Sequence, residues 1–367
     1  MQAAERSREA ARVLAVCNAC RYCEQYCPAF QALEQRVSFA SADVNYLANL
    51  CHGCGECLYA CQYAPPHEFA INVPQTLAAA RVVSYEQYAW PASLAGAFRA
   101  QSIGTALLLA LAFTVVLLGG TLALNGGALR AAGADFYAVI PHAVLVALFG
   151  GVGLFVVLAL AIGVARCRRD FAAAAATTPG AHARRGAVAG ALHDAFTLRH
   201  LHVGDADCVT ALEVRTPWRK RMHHFTLYGF ALCFASTCVA ALYDFAGNPA
   251  PYAYTSLPVV LGTLGGVALV TGTVGLLFVR RARDPALSHS SQDKLDGAFV
   301  TLLLLTGGTG LALLALRNHA AMGVLLTVHL GAVLALFVTL PYGKFVHGFY
   351  RLAALVKFRR EQEEPQR

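Results

Sequence analysis

Six stretches of the chain contain no Asp, Glu, Lys or Arg, and each is close to the ~20 residues that an α-helix needs to cross the apolar core of a bilayer. They cover about residues 102–124, 139–165, 225–243, 257–279, 297–316 and 321–343. Each predicts a membrane-spanning helix. Ahead of them, residues 1–100 mix polar and apolar positions and predict a soluble helical head. Its last part, from Pro74 to near Arg99, reads as a helix followed by a link carrying Tyr85, Tyr88 and Trp90, and Tyr and Trp favour the membrane interface. The expected division is a head at 1–100, two spans in 101–165, a basic loop at 166–222, four spans in 223–347 and a charged tail at 348–367. The loop starts with an Ala-rich part and holds an expected interfacial helix near 188–200. Glycine pairs in the spans, such as Gly119-Gly120 and Gly265-Gly266, suit close helix packing in lipid.

Composition agrees with this pattern. Of 367 residues, 57% are hydrophobic and 14% charged, with a mean hydropathy of +0.51, whereas a soluble domain carries about 25% charged residues. Residues 1–16 have no apolar core of a signal peptide, so the head is expected to stay on the side where it is made. Six spans then return the C-terminus to that side. Of the 29 Lys and Arg, only Arg130 and Arg317 fall outside by this scheme, as the positive-inside rule requires of a multi-pass protein of the cytoplasmic membrane with both termini cytoplasmic. The net charge of +8 is thereby a topology signal that also favours anionic lipid, and it calls for no nucleic acid.

The head carries two matching cysteine runs, Cys17-x2-Cys20-x2-Cys23-x3-Cys27-Pro28 and Cys51-x2-Cys54-x2-Cys57-x3-Cys61. This spacing wraps three thiolates round one [4Fe–4S] cube, and in two-cluster ferredoxins the fourth cysteine crosses to the other cube. Cys17, Cys20, Cys23 and Cys61 are expected round one cluster, and Cys51, Cys54, Cys57 and Cys27 round the second. Structural zinc uses C-x2-C pairs in tetrahedral sets of four, and a third cysteine at the same interval, twice over, argues against it. After Cys61, the paired Pro65-Pro66 forces an extended path that is expected to lid the second cluster. His193, His200, His202 and Cys208 match no standard zinc pattern, and Cys167, Cys233 and Cys238 read as small packing residues.

Ionisable side chains inside spans are functional candidates. In the last span His329 and His347 are 18 positions apart, five helical turns, so both are expected to project from one face of that helix, roughly 27 Å apart. Two such ligands suit two stacked b-type haems, each needing a second axial histidine from another helix. His223 or His224 opens span three at the depth of His347, and His142 opens span two at the depth of His329. His319 reads as a solvated loop residue. Arg219, Lys220, Arg221 and Lys344 are placed to meet haem propionates or a quinone carbonyl, although the positive-inside bias also accounts for them. No glycine fingerprint for FAD or NAD follows a plausible strand.

Several longer strings resemble the tricarballylate/citrate utilisation protein B family (TcuB/CitB), whose members are membrane [4Fe–4S] proteins. They are Cys51-His52-Gly53-Cys54-Gly55-Glu56-Cys57 continuing to Cys61-Gln62-Tyr63-Ala64-Pro65-Pro66-His67-Glu68-Phe69-Ala70-Ile71-Asn72, then Tyr88-Ala89-Trp90-Pro91, Asp194-Ala195-Phe196-Thr197-Leu198-Arg199, His223-His224-Phe225 and Leu340-Pro341-Tyr342-Gly343-Lys344-Phe345-Val346-His347. The resemblance implies a mainly α protein, a two-cluster ferredoxin-like head on a six-helix bundle. It also implies a separate FAD-dependent tricarballylate dehydrogenase as partner, whose reduced FAD this chain reoxidises, with membrane quinone as acceptor. The last span is similar as well to the haem-binding γ subunit of respiratory nitrate reductase, where two histidines 18 apart on one helix serve two haems. There the partner helix carries histidines ten residues apart, whereas here Cys233 or Phe234 stands at that position. Competing readings are a quinol-linked reductase running in the opposite direction and an iron–sulfur redox sensor or assembly factor.

Overall fold

The computed structural model of the protein describes residues 2–98, 101–126, 129, 135–174, 186–201, 208–209 and 215–362. Helices dominate. The head contains α1 (Gln2–Cys20), α2 (Pro28–Glu34), α3 (Ser41–Leu50), α4 (Glu56–Tyr59), α5 (Val73–Tyr88) and α6 (Ala92–Ala97). Their ends follow local chemistry. Pro28 starts α2, where its missing N–H is no loss, and Asn72 caps α5 by accepting from the Gln75 N–H at 3.1 Å. The 23 residues between the cysteine runs form two helices, α2 and α3.

Six helices are long and apolar enough to cross a membrane: α7 (Ile103–Leu124), α8 (His142–Ala173), α10 (Trp218–Phe245), α11 (Leu257–Arg281), α12 (Ser290–Ala315) and α13 (Met322–Thr339). The chain is thus built as a multi-pass membrane protein. Leu108, Val116, Leu154 and Phe278 point outward from these helices, as a lipid-facing surface requires. The centre of the bundle is α13, the span with the largest buried share. Between α10 and α11 the backbones nearly touch. A Cβ on Gly229 would lie 2.5 Å from the Leu269 nitrogen, and one on Gly272 would lie 2.5 Å from that of Thr226.

Four of the six spans, α8, α10, α11 and α12, overrun the charge-free stretches. The largest overruns are at α8, α10 and α12, because helices continue past the apolar slab into the head. The end of α8 places Cys167 and Phe171 in the head's core, where Phe171 packs edge-on against Tyr46 and Tyr88. Asp170 accepts from Asn45 at 2.8 Å and from the Tyr88 hydroxyl. The basic loop contributes α9 (Gly186–Phe196), close to the expected interfacial helix.

One expectation fails. His329 and His347 do not share a helix. α13 stops at Thr339, Gly343 is extended, Lys344–Val346 forms a short 3-10 turn, and a new helix, α14 (His347–Gln362), begins at the histidine. Pro341 causes the break, since it has no N–H to donate and its ring clashes with the carbonyl four residues earlier. The five-turn geometry and its roughly 27 Å separation therefore do not apply.

The new helix α14 runs back along the head and packs against α3, α8 and α9. Tyr350, Ala354, Leu355 and Phe358 join the same apolar core as α1, α3 and α5. At its end Glu361 accepts from Arg36 at 2.7 Å and from Tyr46 at 2.9 Å, and Arg36 also pairs with Asp43 at 3.0 Å. Breaking a buried ion pair from one side costs about 3–5 kcal/mol. Glu361→Ala is accordingly expected to destabilise the head by about 3 kcal/mol, read as an earlier unfolding midpoint in detergent; an unchanged midpoint would mean that α14 does not hold the head.

Candidate functional site

The eight cysteines of the two runs surround two separate hollows in the head. Cys17, Cys20, Cys23 and Cys61 line the first with Val16, Tyr22, Phe30 and Tyr63; Cys57 forms part of the shared wall. Cys51, Cys54, Cys57 and Cys27 line the second with His52, Gly53, Pro74 and His200. The fourth cysteine of each run therefore crosses to the other set. The first hollow has a volume of about 240 Å³ and the second about 20 Å³, so a cube in the second requires its thiol rotamers to open. Among the described residues no three His, Cys, Asp or Glu side chains converge on a single-ion site.

The thiols are chemically unusual. Burial, then the neighbouring Cys61, Cys23 and Cys20, pushes Cys17 up to about 12, and burial with Cys61 and Cys20 pushes Cys23 up to about 11. Burial raises Cys27 and Cys57 strongly as well, with Cys54 and Cys51 adding to it. Four such thiols can ionise together only against a cation, and metal binding releases their protons.

The segment after Cys61 does not lid the second hollow. Gln62 and Tyr63 lie against the first, because Cys61 itself crosses there, and Tyr63, His67 and Phe69 form an aromatic cluster beside it. The second hollow is instead closed towards the bundle. Gly55, at φ +99°, brings its backbone so near Leu287 that a Cβ would lie 2.8 Å away, and Leu287 sits on the turn joining α11 to α12.

Four arginines hold the loop of the second set. Arg81 donates to the Cys51 carbonyl at 2.7 Å and Arg351 to the same oxygen at 2.8 Å. Arg219 donates to the carbonyls of His52 and Gly53 at 3.0 and 2.9 Å, and Arg283 reaches Gly53 at 3.4 Å. Gln292 of α12 accepts from Arg81 at 2.7 Å. The Gly53 N–H in turn approaches the Cys51 sulfur at 3.4 Å. Of these arginines only Arg219 stands out in the sequence. Arg81, Arg283 and Arg351 belong to no motif in the sequence.

The same arginines lead to the histidines. Arg219 lies one turn before His223 on α10, and Arg351 one turn after His347 on α14, so each pair shares a helix face. The His223 and His347 ring centres are 6.1 Å apart with the rings 72° to each other. His347 Nδ1 lies 2.6 Å from the Lys344 carbonyl, and His223 Nδ1 is buried with no hydrogen-bond partner among the described residues. Burial first, then the positive Lys344 and Arg351, holds His347 well below the ordinary imidazole range. His224 stacks on Tyr228 instead, 5.8 Å away.

His142 and His329 are engaged elsewhere and not with one another. His142 Nε2 pairs with Asp244 at 3.0 Å and its ring meets Tyr137, while His329 lies 3.0 Å from the Thr309 hydroxyl on α12. Lys344 is paired with Asp296 at 2.8 Å, and Arg221 lies over the Trp218 ring. His200 lines the second hollow and lies 3.4 Å from Asp194, which Arg359 holds. His202 and the side chain of Cys208 lie outside the described residues.

A sequence profile described as Citrate utilization protein B matches residues 96–367, and one described as Citrate utilization protein B Fer4-like domain matches residues 10–89. The chain belongs to the citrate utilization protein B family. It is similar to an Escherichia coli protein named Citrate utilization protein B, with 48% identity over 358 residues, covering 96% of this chain and 92% of that protein. No solved structure matches the chain. The two family matches meet between residues 89 and 96, where α5 ends and α6 begins. The Fer4-like match supports iron–sulfur chemistry at the cysteine sets.

The crossed ligation can be tested directly. Cys61→Ala and Cys20→Ala are expected to abolish the same paramagnetic cluster signal, and Cys27→Ala the other. If Cys61→Ala instead perturbs the centre of Cys51, Cys54 and Cys57, each run holds its own cluster.

Proposed function

We propose that the protein is the membrane electron-transfer subunit that reoxidises the reduced FAD of a separate dehydrogenase acting on tricarballylate, and delivers the electrons to membrane quinone through two [4Fe–4S] clusters and one b-type haem. Iron–sulfur cubes and a haem, when bound, exchange single electrons and so divide the two-electron oxidation of a flavin into steps. The observation that carries the reading is the shared set of arginines. Arg219 and Arg351 grip the backbone of the second cysteine loop and, one turn along the same helices, present His223 and His347.

The residues perform distinct tasks. Cys17, Cys20, Cys23 and Cys61 hold the centre that faces away from the bundle, where Tyr22 is two-thirds exposed and the docking partner has access. Cys51, Cys54, Cys57 and Cys27 hold the centre against the bundle. His223 and His347, whose ring centres lie 6.1 Å apart, would hold the haem, which would supply single-electron exchange there. The Lys344 carbonyl orients the His347 ring by accepting a hydrogen bond from its Nδ1–H, so that Nε2 would be the nitrogen free to bind. The arginines and Lys344 supply positive charge for propionates and raise the affinity of both centres for an electron.

The relative's name, Citrate utilization protein B, supports a place in tricarboxylate use. The Lys and Arg distribution supports a cytoplasmic membrane location with the head and both termini in the cytoplasm.

Cys20→Ala is expected to abolish electron transfer from the reduced flavoprotein to quinone while membrane insertion is retained; transfer that persists after the cluster is gone contradicts the relay. His347→Ala is expected to lose b-haem absorbance and keep the iron–sulfur signal. An unchanged haem spectrum would place the ligand elsewhere.

A further inference from the structure

A third hollow, of about 220 Å³, opens on the head side of the bundle between α6, α7, α12 and α13. Its walls are mainly apolar, with Phe98, Ala106, Leu109, Phe299 and Leu302 among them. Three polar side chains reach it. Thr105 bonds Ser102, and Thr339 bonds the carbonyls of its own helix at 2.9 Å, so both are spent locally. Gln101 is different. It is only 8% exposed, and its Nε2 has no hydrogen-bond partner among the described residues. A buried amide donor left unpaired is costly, and its presence in an otherwise apolar slot marks a place for a carbonyl-type acceptor.

The slot is connected to the histidine pair. Phe299 on its wall packs against Phe345 with ring centres 6.1 Å apart, and Phe345 lies two residues before His347 and also meets Phe230 of α10. Gly343, one residue before Lys344, forms the floor; a Cβ there would lie 3.0 Å from Gln101 Oε1. On the opposite side Phe98 stacks on Tyr342 at 5.1 Å, which pins the entry segment to the end of α13. Leu109 and Leu302 continue the apolar lining along α7 and α12. Drug-sized ligands need about 300 Å³ or more, so this slot takes a single substituted ring.

We infer that this hollow is the quinone site, with Gln101 donating its amide N–H to one quinone carbonyl and the ring held among Phe98, Ala106 and Phe299. The inference rests on the electron-transfer reading above. The quinone gains two electrons, supplied singly from the reduced flavin of the partner by way of the metal centres, and two protons from water at the head-side surface. It leaves as quinol while FADH2 becomes FAD with release of two protons.

A ring-azido ubiquinone photoactivated on the purified full-length protein is expected to label residues 97–109 and 298–302. Gln101→Leu should raise the KM for decylubiquinone about tenfold, the size of one lost hydrogen bond, without slowing reduction of the iron–sulfur centres by the flavoprotein. Ala106→Phe should abolish both labelling and quinone turnover. Label found elsewhere, or label here that phospholipid displaces while the KM of Gln101→Leu is unchanged, overturns the inference, the latter making the slot a lipid seat. Should either variant fail to fold, the label on the unaltered protein decides. Failure of the electron-transfer reading looks different: an unaltered protein whose iron–sulfur centres the reduced flavoprotein does not reduce passes electrons to no acceptor, ferricyanide included, wherever the label falls.

Discussion

Burying a guanidinium is expensive unless every donor finds an acceptor and some negative charge lies near. Here four arginines, Arg81, Arg219, Arg283 and Arg351, are turned onto three successive carbonyls, those of Cys51, His52 and Gly53. Carbonyl oxygens satisfy the geometry but carry no net charge. The natural counter-charge is the second set of cysteine thiolates, whose own ionisation is opposed by burial and by one another. Each group makes the other tolerable. The cationic cage would favour ionised thiols, and thiolates bound to an iron–sulfur cluster would offset the cage. Crowding of like charge is visible in Arg351, pushed down to about 10 by burial and by Arg81.

These arginines come from the head helix α5, from α10, from the turn just after α11 and from α14. The metal loop therefore serves as the joint between head and bundle. The rest of the architecture supports the joint. α8 and α14 leave the membrane and enter the head's core, and Glu361 fastens the far end of α14 to Arg36. A head held this way keeps the second cysteine set near the histidines at the bundle's mouth. Electron transfer demands that constancy, because it depends steeply on distance, while the chemistry itself belongs to the cofactors.

Much of this was legible in the residues. Charge-free stretches gave the six spans because hydrocarbon excludes charge over a fixed thickness, and the cysteine spacing gave the crossed sets because a cube needs three close thiolates and a fourth from afar. Span ends were less readable, since helices such as α8 do not stop where the apolar slab stops. The pairing of His329 with His347 along one helix was misread because counting by 18 ignores Pro341, which ends α13 before the second histidine. The lid after Cys61 was assigned to the wrong hollow for a related reason: chain order was followed when Cys61 itself crosses over. His223 and His224 were equivalent in sequence, and only the direction of α10 separates them. The arginine cage was not legible, because an arginine that grips backbone carbonyls leaves no pairing pattern in the chain.

The central claim is that this chain carries two iron–sulfur cubes joined by the arginine cage to a haem-bearing histidine pair. The most direct measurement is iron, acid-labile sulfide and haem per chain in the purified, detergent-solubilised protein, combined with a dithionite-reduced minus oxidised optical spectrum. About eight non-haem iron and eight sulfide per chain with a b-type α band at one haem are the predicted result. Zinc or four iron in place of eight contradicts the paired cubes, and full cubes without a haem band contradict the role given to His223 and His347.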